Sequence, residues 1–439
     1  MKYKQYQKMK DSGVEWIGEI PEEWEVRKLK FCLKDDGFKS GPFGSKLITA
    51  NLDDSGRILV YTPEHLVNEN VQFSQYIPME REKELESYLV QVDDILIPIV
   101  GTLGTAKLLT AKDPPGILNQ RLCRISLDNN ILLLKYGLFL ITQTELAKIQ
   151  IELNKKGAIL DHITRDIILN SFFPHPSISE QEEIYDFLQK ETAQFDELIA
   201  KSKQQITLLQ EKRQATITQA VTKGLDPSVS MKDSKILGIK NIPETWNEVN
   251  LGLISKLFVP MRDKPKKFDG KIPWLRIEDI KGKYAHDTLS NQYVSENTIK
   301  EMNLKVYPVG TVLCSCSATI GFYAITKKEL VTNQTFIGIY PDKKLHNEFL
   351  YYFLNSQTEN IRRLGVGATI PYITREKFQK LKIILPPIEQ QIQISEFLDK
   401  QTAQFDELIA KSKQQITLLE EKIQALITAA VTGKIDVRK

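Results

Sequence analysis

One long stretch of the chain carries a repeating pattern of apolar and small side chains. Between Ile178 and Lys223 there is neither Pro nor Gly, and mostly apolar or small residues recur at alternating steps of four and three. Such steps place one stripe along a helix and predict a coiled-coil seam. The seam positions are Leu188, Thr192, Phe195, Ile199, Ser202, Ile206, Leu209, Arg213, Thr216 and Ala220.

The same pattern returns near the end of the chain. Residues 192–209 read TAQFDELIAKSKQQITLL, and residues 402–419 repeat those letters without a change. The second seam consists of Leu398, Thr402, Phe405, Ile409, Ser412, Ile416, Leu419, Ile423, Leu426 and Ala430. Copies 210 residues apart are too long for a solenoid, so we expect two copies of one domain, each followed by one long helix.

Each copy also opens in the same way. The letters MKDS occur at residues 9–12 and again at residues 231–234, and both are followed by an Ile-Pro-Glu run that ends at Trp24 or Trp246. Helix-breaking Gly224 follows the first long helix. The linker between the copies is therefore expected directly after that glycine.

Short β-rich runs alternate with turns between each opening and its helix. These runs lie at residues 58–61, 94–100 and 122–125 in the first copy, and at 274–277, 311–314 and 336–340 in the second. The shared letters FL..QTE at 139–145 and 353–359 predict one amphipathic helix per copy, before turns at Gly157 and Gly367. The predicted class is α+β, with domains at 1–176 and 227–386 and helical segments at 177–226 and 387–439.

Composition narrows the classes of protein only modestly. The 439 residues are 41% hydrophobic and 26% charged, which is typical of a soluble globular chain, and the formal charge of +3 identifies no partner. Four cysteines without paired spacing and five scattered histidines predict neither a metal site nor a disulfide framework, so a cytoplasmic setting is expected. No apolar run is long enough to predict a membrane span.

Two short motifs are similar to catalytic signatures but lack essential parts. Residues 113–116 read DPPG, whereas the amino-methyltransferase tetrad ends in an aromatic residue that stacks on the target base. Residues 341–344 read PDKK, without a second strand that could supply the metal ligands of a nuclease. We therefore expect a non-catalytic chain. A self-sufficient methyltransferase or nuclease, and a coiled-coil adaptor without DNA, are the alternatives.

Basic and hydrogen-bonding residues cluster near the predicted turns. Lys and Arg position phosphates, while Arg, Asn and Thr can contact base edges. The Asn-Gln pairs at 119–120 and 333–334 recur before equivalent strands and are expected to have a framework role, with Arg121 facing DNA. The candidate DNA contacts are Lys39, Ser40, Lys46, Thr102, Thr105, Lys107, Arg121, Lys155, Lys156, Arg262, Lys264, Lys266, Lys267, Arg276, Thr319, Arg362 and Arg363.

The two helices stayed nearly identical while the domains between them diverged. A helical seam does not require identical exposed residues, so their identity suggests that each helix docks the same kind of partner. Recent recombination between the repeats would also make them identical. The candidate partner-binding residues are Asp196, Glu197, Lys201, Lys203, Gln204, Asp406, Glu407, Lys411, Lys413 and Gln414.

Several motifs occur in order along the chain: GPFGS at 41–45, TLG at 102–104, the Asn-Gln pair, PSISEQEEIYDFL and the TAQFDELI helix ending KGLD. Together they resemble the DNA specificity subunit of type I restriction-modification systems, over essentially the whole chain. The resemblance implies two target recognition domains in tandem, each reading one half of a split DNA sequence. It implies that the two helices pack as an antiparallel coiled coil with pseudo-twofold symmetry. The second copy lacks GPFGS, so its first DNA-facing loop is expected to differ.

The resemblance also implies partners and cofactors. Two methyltransferase subunits would dock beside the helices and methylate an adenine in each half-site of double-stranded DNA, and restriction subunits would complete this bacterial defence complex. S-adenosylmethionine, ATP and magnesium would then belong to the partner subunits. No cofactor and no membrane partner are expected for this chain.

Overall fold

The computed structural model describes residues 3–15, 17–42, 47, 52–68, 71, 74–99, 105–143, 164–260, 264–317, 320–365 and 372–438. The chain forms two compact units: unit 1 consists of Met1–Ser202 and Gln414–Lys439, and unit 2 of Lys203–Lys413. Each unit therefore contains one α+β domain, the first part of one long helix and the last part of the other. The turns predicted at Gly157 and Gly367 lie outside the described residues.

The described part of unit 1 contains short strands and helices, including the last part of the second long helix. Its strands are β1 (Met9–Asp11), β2 (Glu19–Pro21), β3 (Glu25–Lys28), β4 (Leu33–Ser40), β5 (Leu59–Tyr61), β6 (Asp94–Pro98), β7 (Lys107–Leu108), β8 (Gly116–Leu118), β9 (Leu122–Leu127) and β10 (Phe172–His175). Its helices are α1 (Glu82–Leu85), α2 (Leu134–Gln143), α3 (Arg165–Leu169) and the first part of α4 (Ile178–Lys223).

An antiparallel sheet in the order β4-β9-β6-β7 forms the centre of unit 1. All five residues of β6 are buried, as expected for a strand covered on both faces. Ile95 and Ile125 share a core with Tyr136 of α2. The parallel pair β5-β8 adds a smaller core around Leu59 and Leu118. The strands predicted at 58–61, 94–100 and 122–125 correspond to β5, β6 and β9, although β6 already ends at Pro98.

Unit 2 repeats this plan, and its described part contains twelve strands. They are β11 (Met231–Asp233), β12 (Asn241–Pro243), β13 (Asn247–Asn250), β14 (Ser255–Phe258), β15 (Ile272–Leu275), β16 (Tyr284–Ala285), β17 (Tyr293–Val294), β18 (Val312–Ser315), β19 (Tyr323–Thr326), β20 (Val331–Thr332), β21 (Phe336–Pro341) and β22 (Lys382–Leu385). Its helices are α5 (Glu296–Glu301), α6 (Asn347–Ser356), α7 (Thr358–Arg362), α8 (Arg375–Lys380) and the first part of α9 (Ile388–Val431).

The central sheet of unit 2 has the order β14-β21-β18-β19-β16, and its first four strands repeat the order found in unit 1. The parallel pair β15-β20 repeats β5-β8. One boundary was wrong: the strand predicted to end at Ile277 ends at Leu275. Arg276 instead caps a short 3-10 helix, because its backbone N–H donates to Asp279 Oδ2 at 2.7 Å.

A tryptophan follows the opening hairpin of each unit and anchors it to the start of a long helix. The hairpins β1-β2 and β11-β12 have the same register, and Trp24 and Trp246 are both 1% exposed. The Trp24 indole donates to Glu180 Oε2 at 2.9 Å, and the Trp246 indole donates to Gln390 Oε1 at 2.7 Å. Each hairpin is therefore fixed through the first turn of α4 or α9.

A fully buried glutamine makes the same hydrogen bonds in each unit. The side chain of Gln181 accepts from Leu133 N (2.8 Å) and donates to Ile131 O (3.1 Å) and Pro176 O (3.0 Å). The equivalent bonds of Gln391 are from His346 N (2.8 Å) and to Lys344 O (2.9 Å) and Pro386 O (2.8 Å). Each amide thus satisfies three backbone groups and fixes the helix to its domain.

The two long helices are confirmed, with 46 residues in α4 and 44 in α9. Along both, the positions predicted for a seam are buried or half-buried, whereas most of their neighbours are exposed. Ile199, Phe405, Ile409 and Ile423 are each no more than 9% exposed. Within the described residues, neither these helices nor any other is long and apolar enough to cross a membrane.

The end of α9 belongs to unit 1 and packs beside its first residues. Gly433 terminates the helix with a φ of 68°, and a Cβ there would lie 2.2 Å from Pro21, so the position requires glycine. Asp436 N then donates to Lys4 O at 2.9 Å, and Lys434 Nζ donates to Glu19 O at 2.6 Å. The last residues of the chain therefore complete the first unit.

Replacing Gln181 with Met should destabilise the start of α2, because a buried thioether cannot satisfy three backbone groups. We expect the free energy of local opening there to fall by about 2 kcal/mol or more. Hydrogen exchange of peptides covering residues 131–136 measures it. Gln204→Met, at an exposed position of the same helix, is the control and should change it by less than about 0.5 kcal/mol. Equal exchange in both variants would contradict the assigned role.

Candidate nucleic-acid interface and helical docking surface

Six of the predicted DNA contacts lie outside the described residues: Lys46, Thr102, Lys155, Lys156, Arg262 and Thr319. In unit 1, Lys39 and Ser40 end β4, and Lys39 Nζ lies 5.4 Å from the centroid of the Tyr88 ring. Thr105 is half-buried, and Arg121 is exposed in the turn between β8 and β9. Lys39 thus places a cation on β4, and Arg121 places one directly before β9, the strand that pairs with β4.

The asparagines that precede β9 and β21 cap their own turns. Asn119 Oδ1 accepts from Arg121 N at 2.9 Å. Asn333 Oδ1 accepts from the backbone N–H and the hydroxyl of Thr335. These bonds fit the predicted framework role and direct the amide oxygens inward to the chain. The side-chain oxygens of both asparagines are therefore engaged within their own turns.

Lys107 already has a carboxylate partner. Its Nζ lies 2.8 Å from Asp113 Oδ1, and both side chains are mostly buried. Burial would raise the pKa of Asp113, but hydrogen bonds from Lys107 and Thr110 outweigh it and lower that pKa. Because Lys107 and Asp113 neutralise each other's charge, Lys107 is poorly placed to pair with a DNA phosphate. The DPPG motif is therefore a turn fixed by this ion pair.

A cavity of about 940 Å³ lies between β5, β7 and the turn at residues 110–114, and sequence reasoning did not identify it. Its polar lining includes His65, whose ring nitrogens contact Thr62 Oγ1 (2.8 Å) and Ser74 Oγ (3.4 Å). Burial lowers the pKa of His65, so its neutral form is favoured at pH 7. A neutral imidazole offers one donor and one acceptor, and here both ring nitrogens are engaged by Thr62 and Ser74. Only the three-dimensional proximity of residues 61–76 and 106–114 reveals the site.

In unit 2, the basic segment before β15 is exposed. Lys264, Lys266 and Lys267 all lie at the surface. Lys264 Nζ is 5.7 Å from the ring centroid of Phe268 and 5.8 Å from that of Trp274. Three cations on one short exposed segment form a phosphate-binding candidate whose charge is not consumed by a described ion pair.

Three arginines of unit 2 differ in their availability. Arg276 Nε lies 3.9 Å from Glu278, and the Arg276 side chain is 36% exposed. Arg362 donates to Ile320 O at 2.9 Å and to Glu359 Oε1 at 2.6 Å, so it stabilises the turn before β19. Arg363 is exposed at the end of α7. Arg363 is therefore better placed than Arg362 to contact a partner.

The residues predicted to dock a partner lie on the exposed faces of α4 and α9. They are exposed without exception: Asp196, Glu197, Lys201, Lys203, Gln204, Asp406, Glu407, Lys411, Lys413 and Gln414. Glu197 pairs with Lys201 and Glu407 pairs with Lys411, both at 2.6 Å. Identical sequence thus gives identical local ion pairs on both helices.

Seam residues in unit 1 pack into its core. Ile199 of α4 and Ile423 of α9 belong to one buried cluster, with Phe195, Ile416 and Leu419 packed against it. In unit 2, Phe405 and Ile409 are buried, while Ile206 and Leu209 are half-buried. The apolar stripe therefore faces protein along both helices rather than solvent.

The described residues offer no group of three or more His, Cys, Asp or Glu side chains that could hold a metal ion. All four cysteines are unpaired and buried. Burial raises the pKa of each thiol, that of Cys316 to about 11. Because the thiolate is the nucleophile, these residues are suited to packing and not to covalent catalysis.

Comparison with known proteins agrees with this geometry. The family model described as "Type I restriction modification DNA specificity domain" matches residues 21–208 and again residues 243–418. The type I restriction enzyme MjaVIII specificity subunit of Methanocaldococcus jannaschii is 25% identical over 432 residues, which cover 95% of this chain and 94% of that protein. The MjaIX specificity subunit of the same organism is 30% identical over 189 residues, covering 42% of this chain and 43% of that protein.

Two solved structures share the fold. A chain from a structure described as the basis of "complex assembly and conformational transition of the type I R-M system" aligns with a TM-score of 0.69 and 15% identity, covering 94% of this chain and 98% of that chain. The HsdS subunit of Thermoanaerobacter tengcongensis aligns with a TM-score of 0.51 and 16% identity, covering 95% and 98%. Because the family model matches twice and spans most of the sequence, the chain belongs to the type I restriction-modification DNA specificity family and contains two of its domains in tandem.

Proposed function

We propose that each unit reads one half of a split DNA sequence, and that α4 and α9 pair as an antiparallel coiled coil that docks two methyltransferase subunits. The observation that carries the proposal is that the specificity domain occurs twice in the chain. The two copies share one fold but carry different polar residues. The chain itself is a non-catalytic recognition subunit. Restriction subunits would join the same assembly, with S-adenosylmethionine, ATP and magnesium held by the partners.

The membership of the two units supports antiparallel pairing. Unit 1 combines the first part of α4 with the last part of α9, and unit 2 combines the last part of α4 with the first part of α9. Ile217, Ala220 and Val221 pack in the core of unit 2, and their equivalents Ile427, Ala430 and Val431 pack in that of unit 1. Helices that exchange ends in this way are expected to run in opposite directions, which supports the proposed antiparallel pairing.

The exposed lysines and arginines support DNA binding. Arg121, Lys264, Lys266, Lys267 and Arg363 are exposed at the surface of the two domains, and half-buried Lys39 ends β4. Purified chain with its methyltransferase subunit should therefore bind DNA in a sequence-selective and salt-sensitive manner.

Exchange of one domain should change one half of the recognised sequence. Residues 9–163 replaced by the corresponding region of a relative should give a new first half-site and leave the second unchanged, because unit 2 keeps its own domain. Sequencing of methylated positions in host DNA measures both. The reciprocal exchange of residues 231–373 is the control. If either exchange alters both half-sites together, the separate-reader model is wrong.

Lengthening the helices should lengthen the spacer between the half-sites. Four extra residues after Leu209, with four after Leu408 at the facing level of α9 to preserve pairing, add about 6 Å along the helix, or at most about two base pairs. The half-sites themselves should not change. The same four residues inserted after Ser228, in the exposed linker, should leave the spacer as it was. An active helix variant with an unchanged spacer would reject the proposed ruler.

Removing two exposed lysines should weaken binding through phosphate contacts. For Lys266→Ala with Lys267→Ala we expect the slope of log affinity against log salt to flatten by about two, since each phosphate contact contributes about 0.9. Lys343→Ala with Lys344→Ala removes the same charge from exposed positions of the same unit and is the matched control. Equal slopes for the two double variants would exclude the segment before β15 from the interface.

A further inference from the structure

The two units place one identical helical surface in different surroundings. Asp196 and Asp406 are equivalent residues of the repeated segment. In unit 2, Arg213 Nε lies 3.1 Å from Asp406 Oδ1, although its N–H is not aligned for a hydrogen bond, so the contact is an ion pair. The residue of α9 equivalent to Arg213 is Ile423, which cannot neutralise a carboxylate.

Beside Ile423, unit 1 has an open cavity of about 410 Å³. Asp196 lines this cavity together with the apolar side chains of Leu138 and Ile423 and the amide of Gln189. Lys135 also lines it, but the Lys135 Nζ lies 5.7 Å from the ring centroid of Tyr185. Within the described ranges of the chain, Asp196 has no ion-pair partner.

The equivalent place in unit 2 is filled by side chains of the same chain. Tyr352 and Asp399 are the equivalents of Leu138 and Gln189, and the Tyr352 hydroxyl donates to Asp399 Oδ1 at 2.5 Å. The Lys283 ammonium donates to Glu348 Oε2 at 2.8 Å and also contacts the Asp399 carboxylate.

The ammonium group of Lys283 also lies near aromatic rings. Its Nζ lies 4.7 Å from the ring centroid of Tyr352 and 5.3 Å from that of Tyr284. Burial would raise the pKa of Glu348, but hydrogen bonds from Lys283 and Tyr284 outweigh it and lower that pKa to about 2. The frame of a unit at this point therefore accepts a long basic side chain against carboxylates.

We propose that the cavity of unit 1 receives a lysine or arginine side chain of the methyltransferase subunit, whose cation pairs with Asp196. The inference rests on the docking proposed above. In unit 2 the corresponding cation sites are occupied by Lys283 and Arg213, so the incoming side chain has no place there. The two docking surfaces are therefore unequal, and the surface of unit 1 is the tighter.

The difference has an electrostatic and a steric component. At unit 1 the partner gains a charge pair with Asp196 and buries its aliphatic stem against Leu138 and Ile423. At unit 2, Arg213 already screens Asp406, which leaves less attraction for an incoming cation. The first of two binding steps should therefore be the more sensitive to salt.

The full-length chain is titrated with the methyltransferase subunit of the same system. Native mass spectrometry then resolves complexes that contain one and two methyltransferase subunits. We expect Asp196→Asn to weaken the first step about ten-fold and Asp406→Asn to change it less than about two-fold. The two substitutions are matched, because they make the same chemical change in identical, exposed sequence. Equal losses, or no loss for Asp196→Asn, would overturn the inference.

A second variant tests the cavity rather than the charge. Ile423→Arg reproduces in unit 1 the side chain that unit 2 has at Arg213, and it should also weaken the first step about ten-fold while leaving the second unchanged. Its melting temperature, compared with that of the unaltered chain, establishes that unit 1 is folded. A folded Ile423→Arg chain with an unchanged first step contradicts the proposal. If the unaltered chain binds no methyltransferase subunit, the proposed docking itself fails.

Discussion

A buried amide at the start of each long helix sets the geometry on which the remaining structure depends. Gln181 and Gln391 are fully buried, and each satisfies three backbone groups of the preceding segment and of the loop before α2 or α6. A polar network in a core is costly unless every member is satisfied, so only one orientation of helix and domain is compatible with it. The indole bonds of Trp24 and Trp246 add the opening hairpin to the same point. Helix, hairpin and sheet are thereby held in one arrangement in each unit, and the apolar stripe of the helix can only face one way.

The two units share this frame but differ in charge and packing at some equivalent positions. Arg213 and Ile423 occupy equivalent positions, yet one forms an ion pair and the other lines a cavity. In the same way, Glu180 accepts the indole proton of Trp24 as a carboxylate, whereas Gln390 accepts that of Trp246 as a neutral amide. Duplication therefore preserved shape more strictly than charge. Surfaces of identical sequence consequently lie in different electrostatic environments.

The sequence was most informative where local chemistry decides the structure. The absence of Pro and Gly with a four-three pattern was sufficient to place α4 and α9, and apolar runs placed β6, β9, β18 and β21. It was least informative where distant residues meet. Arg362 bonds to Ile320 and Lys283 to Asp399, 42 and 116 positions away, and no local pattern indicates either contact. Tertiary contacts of this kind also decide whether a candidate lysine or arginine is available to DNA. They likewise form the cavity around His65.

The return of α9 to unit 1 has a consequence for how the protein is made. Unit 2 is one continuous stretch, Lys203–Lys413, whereas unit 1 also needs Gln414–Lys439. Ala430 and Val431 are fully buried in the same core as Trp24 and Ile184. The ribosome adds those residues only after the whole of unit 2, so the apolar surface that receives them stays uncovered while unit 2 is synthesised. The domain that is translated first can therefore be completed only after the second has been translated.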